Sequence, residues 1–492
     1  MGHLNTQNDT AKPGRTVSQK RGNSLDRRKS SGIGWVALAA AVAVVTIGGT
    51  IGARPALYAT GLWVDGGEPT ISPSFFDRPS ATGSAQPHGL GVQPSAVAAP
   101  TGTAPVPAVL AGKLDAVPVA GMGTTSGMVL DAATGAVLWQ RSATTGLVPA
   151  STMKLLTSTA ALQALGPDTT FTTRVVSPSA GRIVLVGGGD PYLGSVPAKA
   201  YPGAPSSSTL AASTAAALKK SGVTTVTLGV DESLFTGPAW HPTWPASYHD
   251  QVSTISALWI DKGRPAPPAA PSTAPAVTAG AVFAAQLKAN GITVTGTPAA
   301  AKAQAGDAPV ASIASLPVRT LVSETLLHSD NSAAEVLLRH VGLATKNGGS
   351  FVGGTTGVQQ VLTELGTWGS AGRLADGSGL SRSNLVTADT LARTLQKAAT
   401  TPRLAPLAEG LPAAGVTGTL GARFYGPTAT SGRGWVRAKT GTLTGVSTLA
   451  GRTRTASGGE VVFAFMSNQS KQEWGVRNWL DQMASVVTSC GC

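Results

Sequence analysis

The stretch PASTMKLLTSTAALQALGP, residues 149–167, decides the reading of this chain. Good helix formers follow Ser151, with Leu155, Leu156, Leu162 and Leu165 available for a core face, and Gly166-Pro167 stops the run. Ser151 is therefore expected at or near a helix N-terminus, where the macrodipole favours developing negative charge. Lys154 follows three residues later, which puts its side chain on the same helical face. A hydroxyl with an amine one turn away is a nucleophile with a candidate base, provided that burial and neighbouring cations depress the amine's pKa. The same four residues also describe an ordinary N-terminal serine under a solvated lysine, so alone they do not establish catalysis.

Two further motifs follow in fixed order. VRTLVSETLLHSDNSAAEVLLRHVG, residues 318–342, reads as two helices broken at His328-Ser329-Asp330, with Ser329 or Asp330 capping a second helix from near Asn331. GWVRAKTGTLTGVSTLAGRTR, residues 434–454, and EVVFAFMSN, residues 460–468, read as a hairpin turning near Gly445 and a third strand. Lys439-Thr440-Gly441 lies on the first of these strands, where Gly441 is expected to let a ligand backbone approach closely. The three motifs together hold a nucleophile, an amine, a hydroxyl-plus-amide pair and a cation on a strand. Those are the parts for acyl transfer through a serine ester.

With these residues the sequence resembles the class C D-alanyl-D-alanine carboxypeptidase/endopeptidase type of penicillin-binding protein, peptidase family S13. Supporting stretches are the run from Met128 to Leu162, LVGGGDPYL, DESLFTGPAWHPTWP, LADGSGLSRSNLVT and RAKTGTLTGVSTLAG. The resemblance runs from about Gly127 to Val487, more weakly between Pro197 and Pro317, and nothing before Leu110 belongs to it. It implies an α/β (α+β) fold: a serine β-lactamase/transpeptidase-like domain with an antiparallel sheet flanked by helices, interrupted by an inserted accessory α/β domain. It also implies roles. Ser151 attacks the D-Ala-D-Ala carbonyl, Lys154 takes its proton, Ser329 relays a proton to the leaving amine, and Asn331 holds the motif and the substrate amide. Lys439 supplies positive potential, Thr440 binds the terminal carboxylate, and the Ser151 and Thr442 N–H groups form an oxyanion hole. Asp231, in VDESLF, is a further candidate for recognising the charged end of a stem peptide, against the plain reading of a strand-end turn aspartate. Peptidoglycan stem peptides are the implied substrates and β-lactams the implied inhibitors.

The rest of the chain fits an exported enzyme. Residues 1–30 form a basic stub with seven basic and two acidic side chains. Within 31–53, the run Ile33 to Ile51 is uncharged and apolar, roughly 28 Å as a helix and long enough to span a bilayer. Arg27, Arg28 and Lys29 precede it, so a single-pass cell-membrane anchor with a cytoplasmic N-terminus and an extracytoplasmic catalytic region is expected. A cleaved signal peptide is the alternative, disfavoured by the poor site Gly-Ala-Arg-Pro. Residues 54–117, rich in Pro, Ala, Gly and Ser from Asp77 on, read as an extended tether. The catalytic domain is expected over 118–174 and 318–488, separated by a long insertion over 175–317, with a Cys-Gly-Cys tail at 489–492. Strand-like RIVLVGGG, TVTLGVD and ITVTG and the helical STLAASTAAALKKSG make that insertion a small α/β unit, and Gly187-Gly188-Gly189 a tight turn.

The net charge is +13, yet only 12% of residues are charged and no basic stripe with interleaved aromatics appears beyond the stub, which argues against nucleic-acid binding. The only cysteines, Cys490 and Cys492, can oxidise to a small loop or with another chain. Two thiols without a neighbouring histidine do not make a zinc site, and no cofactor is expected. No G-x-S-x-G elbow supports a Ser-His-Asp hydrolase. A class A β-lactamase shares the three motifs but needs E-x-x-x-N, and four residues after Glu364 stands Trp368. A non-enzymatic wall-binding protein is expected to lose catalytic positions, and here Ser151, Lys154, Ser329, Asn331 and Lys439 are all present.

Overall fold

The strand Glu460–Asn468 shows how the layers form. Its side chains divide by parity, Val461, Phe463 and Phe465 joining one apolar cluster and Val462, Ala464 and Met466 another. A strand buried on both faces needs that period of two with apolar residues on each side. This is a computed structural model; it describes residues 102–197, 201–264 and 270–492, all within the unit Pro94–Cys492. The basic stub, the expected anchor and the tether as far as residue 101 lie outside the described residues.

In chain order the first elements are α1 (Pro107–Asp115), β1 (Thr124–Asp131), β2 (Val137–Arg141) and α2 (Met153–Leu165). Then come β3 (Thr172–Ser179), β4 (Arg182–Val186), α3 (Ser207–Lys220), β5 (Thr225–Asp231), α4 (Pro275–Ala289), β6 (Thr293–Val294), β7 (Ala299–Ala300) and β8 (Ala308–Ala314). The chain continues with α5 (Val318–Leu327), α6 (Asn331–Ala344), α7 (Phe351–Glu364), α8 (Ala388–Thr400) and α9 (Pro406–Glu409). It ends with β9 (Arg437–Leu443), β10 (Val446–Arg454), β11 (Glu460–Asn468) and α10 (Glu473–Thr488).

The first sheet is antiparallel with order β2-β1-β11-β10-β9. On one face, Trp139, Leu449, Phe463 and Phe465 pack with Leu110 and Leu114 of α1 and Trp479 and Met483 of α10. On the other face, Met128, Leu130 and Met466 share a core with Leu155 and Leu156 of α2 and Leu391 and Leu395 of α8. Every residue of α2 from Met153 to Leu162 is buried, so this helix is central rather than amphipathic. Gly445, at φ +72°, turns β9 into β10. Helices α5 and α6 break at His328-Ser329-Asp330, and Asp330 caps α6 by accepting the Ala333 N–H at 3.0 Å.

Between α2 and α5, a second sheet has order β6-β5-β4-β3-β8, with β7 added against β5. Strands β3 and β4 form an antiparallel pair, whereas β4–β5 and β5–β6 are parallel and linked through α3 and α4. Leu210 of α3 and Phe283 and Leu287 of α4 close its core on Ile183, Leu185, Val226 and Leu228. Gly188 belongs to a close crossing, since a Cβ there would lie 2.1 Å from the Thr172 carbonyl oxygen.

The tether ends earlier than its composition suggests. Residues 107–115 are helical, not extended: Pro107 opens α1, and Leu110 and Leu114, one turn apart, are fully buried. Thr103 bridges Gly458, the Val106 N–H donates to the Cys492 carbonyl at 3.2 Å, and Asp115 accepts from Trp139 Nε1 at 3.0 Å. Two leucines suffice to dock a segment that Pro and Ala make look unstructured. The two cysteines are joined to each other as a Cys490–Cys492 disulfide. Leu110→Ala is expected to cost about 2–5 kcal/mol of stability in urea unfolding, as for other buried leucines. A loss under about 0.5 kcal/mol, the usual surface value, would return residues 102–117 to the tether.

Candidate active site

Ser151 is the middle residue of a 3₁₀ turn, Ala150–Thr152, that runs directly into α2. The Pro149 carbonyl anchors the turn by accepting Thr152 Oγ1 at 2.7 Å and Thr448 Oγ1, from β10, at 2.8 Å. Ala150 takes φ +46°, a left-handed conformation that costs a residue with a Cβ about 1–2 kcal/mol. Such strain persists only where the surroundings impose it. Gly379, at φ +86°, is part of those surroundings, because a Cβ there would lie 1.8 Å from the Ala150 carbonyl oxygen.

Lys154 is fully buried. Its Nζ lies 3.0 Å from Ser151 Oγ, 2.7 Å from Asn331 Oδ1 and 2.8 Å from the Ser378 carbonyl oxygen. Asn331 Nδ2 donates to the Gln251 carbonyl at 2.9 Å, which fixes the amide so that Oδ1 faces the lysine. Asn331 Oδ1 and the Ser378 carbonyl can only accept. A neutral lysine therefore spends its two N–H bonds on them and turns its lone pair to the one partner able to donate, the Ser151 hydroxyl. Burial pushes the Lys154 pKa down to about 8, against the charges of Glu335, Asp376 and Asp330, which act to raise it.

The loop 376–381 that presents the Ser378 carbonyl is held by two buried carboxylates. Glu335, on α6, accepts the Gly377 N–H at 3.0 Å and the Ser378 N–H at 2.7 Å. Asp376 accepts from the N–H groups of Gly379 at 2.8 Å and Ser381 at 2.6 Å, from Trp244 Nε1 at 2.8 Å and from Asn384 Nδ2 at 2.7 Å. Burial first, and then the charge of Asp376, raises the pKa of Glu335.

These groups stand behind a cleft of about 700 Å³, lined among others by Ser151, Ser329, Asn331, Thr440, Thr442 and Gln251. Ser329 enters it from the α5–α6 break with φ +56°. Thr440 Oγ1 donates to Thr419 Oγ1 at 2.9 Å on the cleft wall. Strand β9 is an edge strand, and the Ala438 N–H donates away from the sheet, to the Pro412 carbonyl at 3.0 Å. By the alternation of a strand, the N–H groups of Thr440 and Thr442 point to that same outer edge. Lys439 is fully buried and donates to the Thr440 carbonyl at 2.9 Å; burial, then repulsion from Lys154, holds its pKa well below the usual lysine range.

Two residues expected to meet substrate, Gly441 and Asp231, do not face the cleft. Gly441 does not line the cleft. A Cβ there would meet Thr448 Oγ1 at 2.1 Å and the Pro149 carbonyl oxygen at 2.6 Å, so this glycine makes room for the nucleophile's own turn and not for a ligand backbone. Asp231 does not line the cleft either. It ends β5 beside a separate cavity of about 350 Å³, its two carboxylate oxygens accepting the Ser233 and Ala303 N–H groups at 2.8 Å. That is the strand-end turn geometry. Burial acts to raise its pKa, but hydrogen bonds from Ser233 and Ala303 and the charge of Arg174 hold it below the usual carboxylate value.

Residues 110–274 and 262–489 match the D-Ala-D-Ala carboxypeptidase 3 (S13) family. The chain belongs to this family. It is 38% identical to a carboxypeptidase of Mycobacterium tuberculosis over 75% of this chain and 81% of that protein. It is 32% identical to the D-alanyl-D-alanine carboxypeptidase of an Actinomadura species over 70% of this chain and 78% of that protein. Penicillin-binding protein 4 of Haemophilus influenzae shares the fold, with a TM-score of 0.64 at 24% identity, covering 78% of this chain and 99% of that one. The same Haemophilus protein has also been solved with a β-lactam bound (TM-score 0.58, 23% identity, 78% of this chain and 99% of that one). As an S13 member, the chain is a serine-type D-Ala-D-Ala carboxypeptidase. The β-lactamase alternative loses its one candidate residue: Glu364 is exposed at the end of α7, accepts from Gln360 Nε2 at 3.0 Å and does not line the cleft.

Sequence reading missed Glu335, Asp376, Ser378 and Gln251. The stretch LADGSGLSRSNLVT marked the loop, but nothing in it says that a backbone carbonyl meets Lys154. Gly441→Ala is expected to cost about 1–3 kcal/mol of stability by overpacking and to lower D-alanine release at least about tenfold by displacing the Ser151 turn. Adding Thr448→Ala should restore little, because the Pro149 carbonyl remains in the way. Near-wild-type release by the single variant would show that the turn tolerates a Cβ.

Proposed function

We propose that this S13 carboxypeptidase works as a membrane-anchored acyl-enzyme on peptidoglycan stem peptides ending in D-Ala-D-Ala, and that β-lactams acylate it. The observation that carries the reading is the contact between Lys154 Nζ and Ser151 Oγ, at 3.0 Å, with the other two lysine contacts made to acceptors alone. The Ser151 proton passes to the neutral Lys154 as Oγ attacks the penultimate D-Ala carbonyl. The Ser151 and Thr442 N–H groups take the oxyanion, at the place where Gly441 lets strand and turn meet. The intermediate collapses to the Ser151 ester and D-alanine leaves, its amine protonated by way of Ser329. Water then frees the shortened peptide and regenerates the serine.

Lys439 and Thr440 receive the terminal carboxylate of the substrate. An anion in the cleft favours the protonated form of buried Lys439, whose pKa burial and Lys154 hold down, and the Thr440 hydroxyl turns from Thr419 to bond it. Cross-link cleavage follows from the same ester whenever the leaving amine belongs to a neighbouring stem peptide. A β-lactam puts its own carbonyl before Ser151; the Haemophilus relative of this fold holds one. Residues 33–51 anchor the enzyme with the catalytic unit outside the cell. Among the described residues no helix is long and apolar enough to cross a membrane, and the run lies outside them.

Ser151→Ala in the full-length chain is expected to abolish labelling by a fluorescent penicillin and D-alanine release from muropeptides, with its melting temperature nearly unchanged. Product masses from the wild-type protein separate D-alanine release from cross-link cleavage. Persistent labelling of the variant would place the nucleophile elsewhere.

The pH dependence tests the base. Only neutral Lys154 accepts a proton, so kcat/KM should rise with pH through an acid limb near pH 8, the pKa that burial gives this lysine. Lys154→Arg keeps the charge but cannot deprotonate, and acylation should fall about 100-fold or more. Substantial activity in the arginine variant would leave Lys154 a purely electrostatic part.

A further inference from the structure

Asp330 stands between Ser329 and Asn331, both of which line the cleft. One carboxylate oxygen caps α6; the other, Oδ2, accepts from Lys262 Nζ and, at 3.3 Å, from the Tyr192 hydroxyl. Lys262 and Tyr192 both come from the chain between α2 and α5, far from Asp330 in sequence. The Lys262 ammonium also lies 4.7 Å from the centre of the Tyr192 ring, a cation–π contact.

The backbone around Lys262 is bent to place it. Asp261, Lys262 and Gly263 are three successive left-handed residues, at φ +50°, +57° and +63°. The bend is pinned by Asp261 Oδ1, which accepts the Ser195 N–H at 2.9 Å, and by Arg264, which donates to Ser253 Oγ at 3.0 Å and the His249 carbonyl at 2.9 Å. Residues 251–253 of the same segment meet the second motif directly, through the Gln251 carbonyl on Asn331 Nδ2 and the Ser253 N–H on Ser332 Oγ at 3.0 Å. Left-handed backbone at two successive residues that carry a Cβ persists only where the surroundings over-determine it.

We propose that Lys262 is a positioning residue of the acyl-transfer centre, fixing Asp330 and through it the placement of Ser329 and Asn331 against Lys154. The proposal rests on the acyl-enzyme reading. It also has an electrostatic side. Lys154 is faced by Glu335 from α6, by Asp376 from the loop 376–381, by Asp330 from the α5–α6 break and by Lys439 from β9. Lys262 neutralises one of those three carboxylates. Without it, the Asp330 charge acts uncompensated on Lys154 and makes the neutral amine scarcer at any given pH.

The test is D-alanine release by the full-length chain across a pH series. Lys262→Met is expected to lower kcat about tenfold to 100-fold with a smaller change in KM, as misplaced catalytic groups do, and to move the acid limb to higher pH. Lys262→Arg should retain most activity. Asp330→Asn added to Lys262→Met keeps the α6 cap but removes the unpaired charge, and should bring the limb back towards its wild-type position. Lys262→Gln runs in parallel and reads the limb if the methionine variant does not fold. A folded Lys262→Met protein with wild-type kcat and limb overturns the proposal. So does a loss of activity with an unmoved limb, which marks Lys262 as merely structural. Penicillin labelling of the wild-type protein scores the acyl-enzyme reading separately: no label with D-alanine release intact overturns that reading and leaves the Lys262 comparison readable.

Discussion

The catalytic unit is organised around one buried nitrogen. Lys154 Nζ touches Ser151 in the turn that opens its own helix, Asn331 at the start of α6 and the Ser378 carbonyl in the loop 376–381. Removing a lysine from water is unfavourable, and that cost is what turns an ordinary ammonium into a group able to give up its proton near neutrality. The surrounding elements serve this placement: α2 is buried all round, Glu335 and Asp376 clamp the loop, and the Gln251 carbonyl orients Asn331. The carboxylates act against deprotonation, so the lysine's pKa reflects a balance between burial and charge.

The second sheet and the chain between β5 and α4 do more than separate the first two motifs. Ser247, Tyr248, Asp250 and Gln251 form part of the cleft wall, and Gln251, Ser253 and Lys262 all contact the residues from Asp330 to Ser332. The segment inserted after α2 therefore shapes the site that the first sheet and its helices carry. A change in this segment is felt at Asn331 without touching any residue of the three motifs.

What the sequence disclosed and what it hid follow a physical rule. Ser151 and Lys154 are related by helical spacing, Asp330 by a capping preference, and Lys439 to Thr442 by strand alternation, all local relations that a short window contains. The hairpin at Gly445 and the helix break at Ser329 were legible for the same reason. Asp376 and Gln251 meet the site only through long-range packing, Glu335 stands one turn after Asn331 but acts through the distant loop 376–381, and a backbone carbonyl such as that of Ser378 has no signature in residue type. Gly441 was legible as a close approach, but what approaches is the Pro149 carbonyl and Thr448, a fact of tertiary contact. Composition misled at α1, where two leucines outweigh a run of Pro and Ala, whereas at Asp231 the strand-end turn that the sequence also allowed is the geometry found, each oxygen accepting one backbone N–H.

The meeting of Thr103 with Gly458 and of Val106 with Cys492 bears on mechanics. Gly458 lies in the β10–β11 turn, whereas Ser151 sits near the opposite end of the sheet, beside Gly441 and Thr448. The nine residues of β10 between those ends span roughly 27 Å. The upstream chain thus joins the catalytic unit at the far end of the two inner strands β10 and β11, through one bridge and a short helix. The length of the sheet separates that entry point from the acylation machinery.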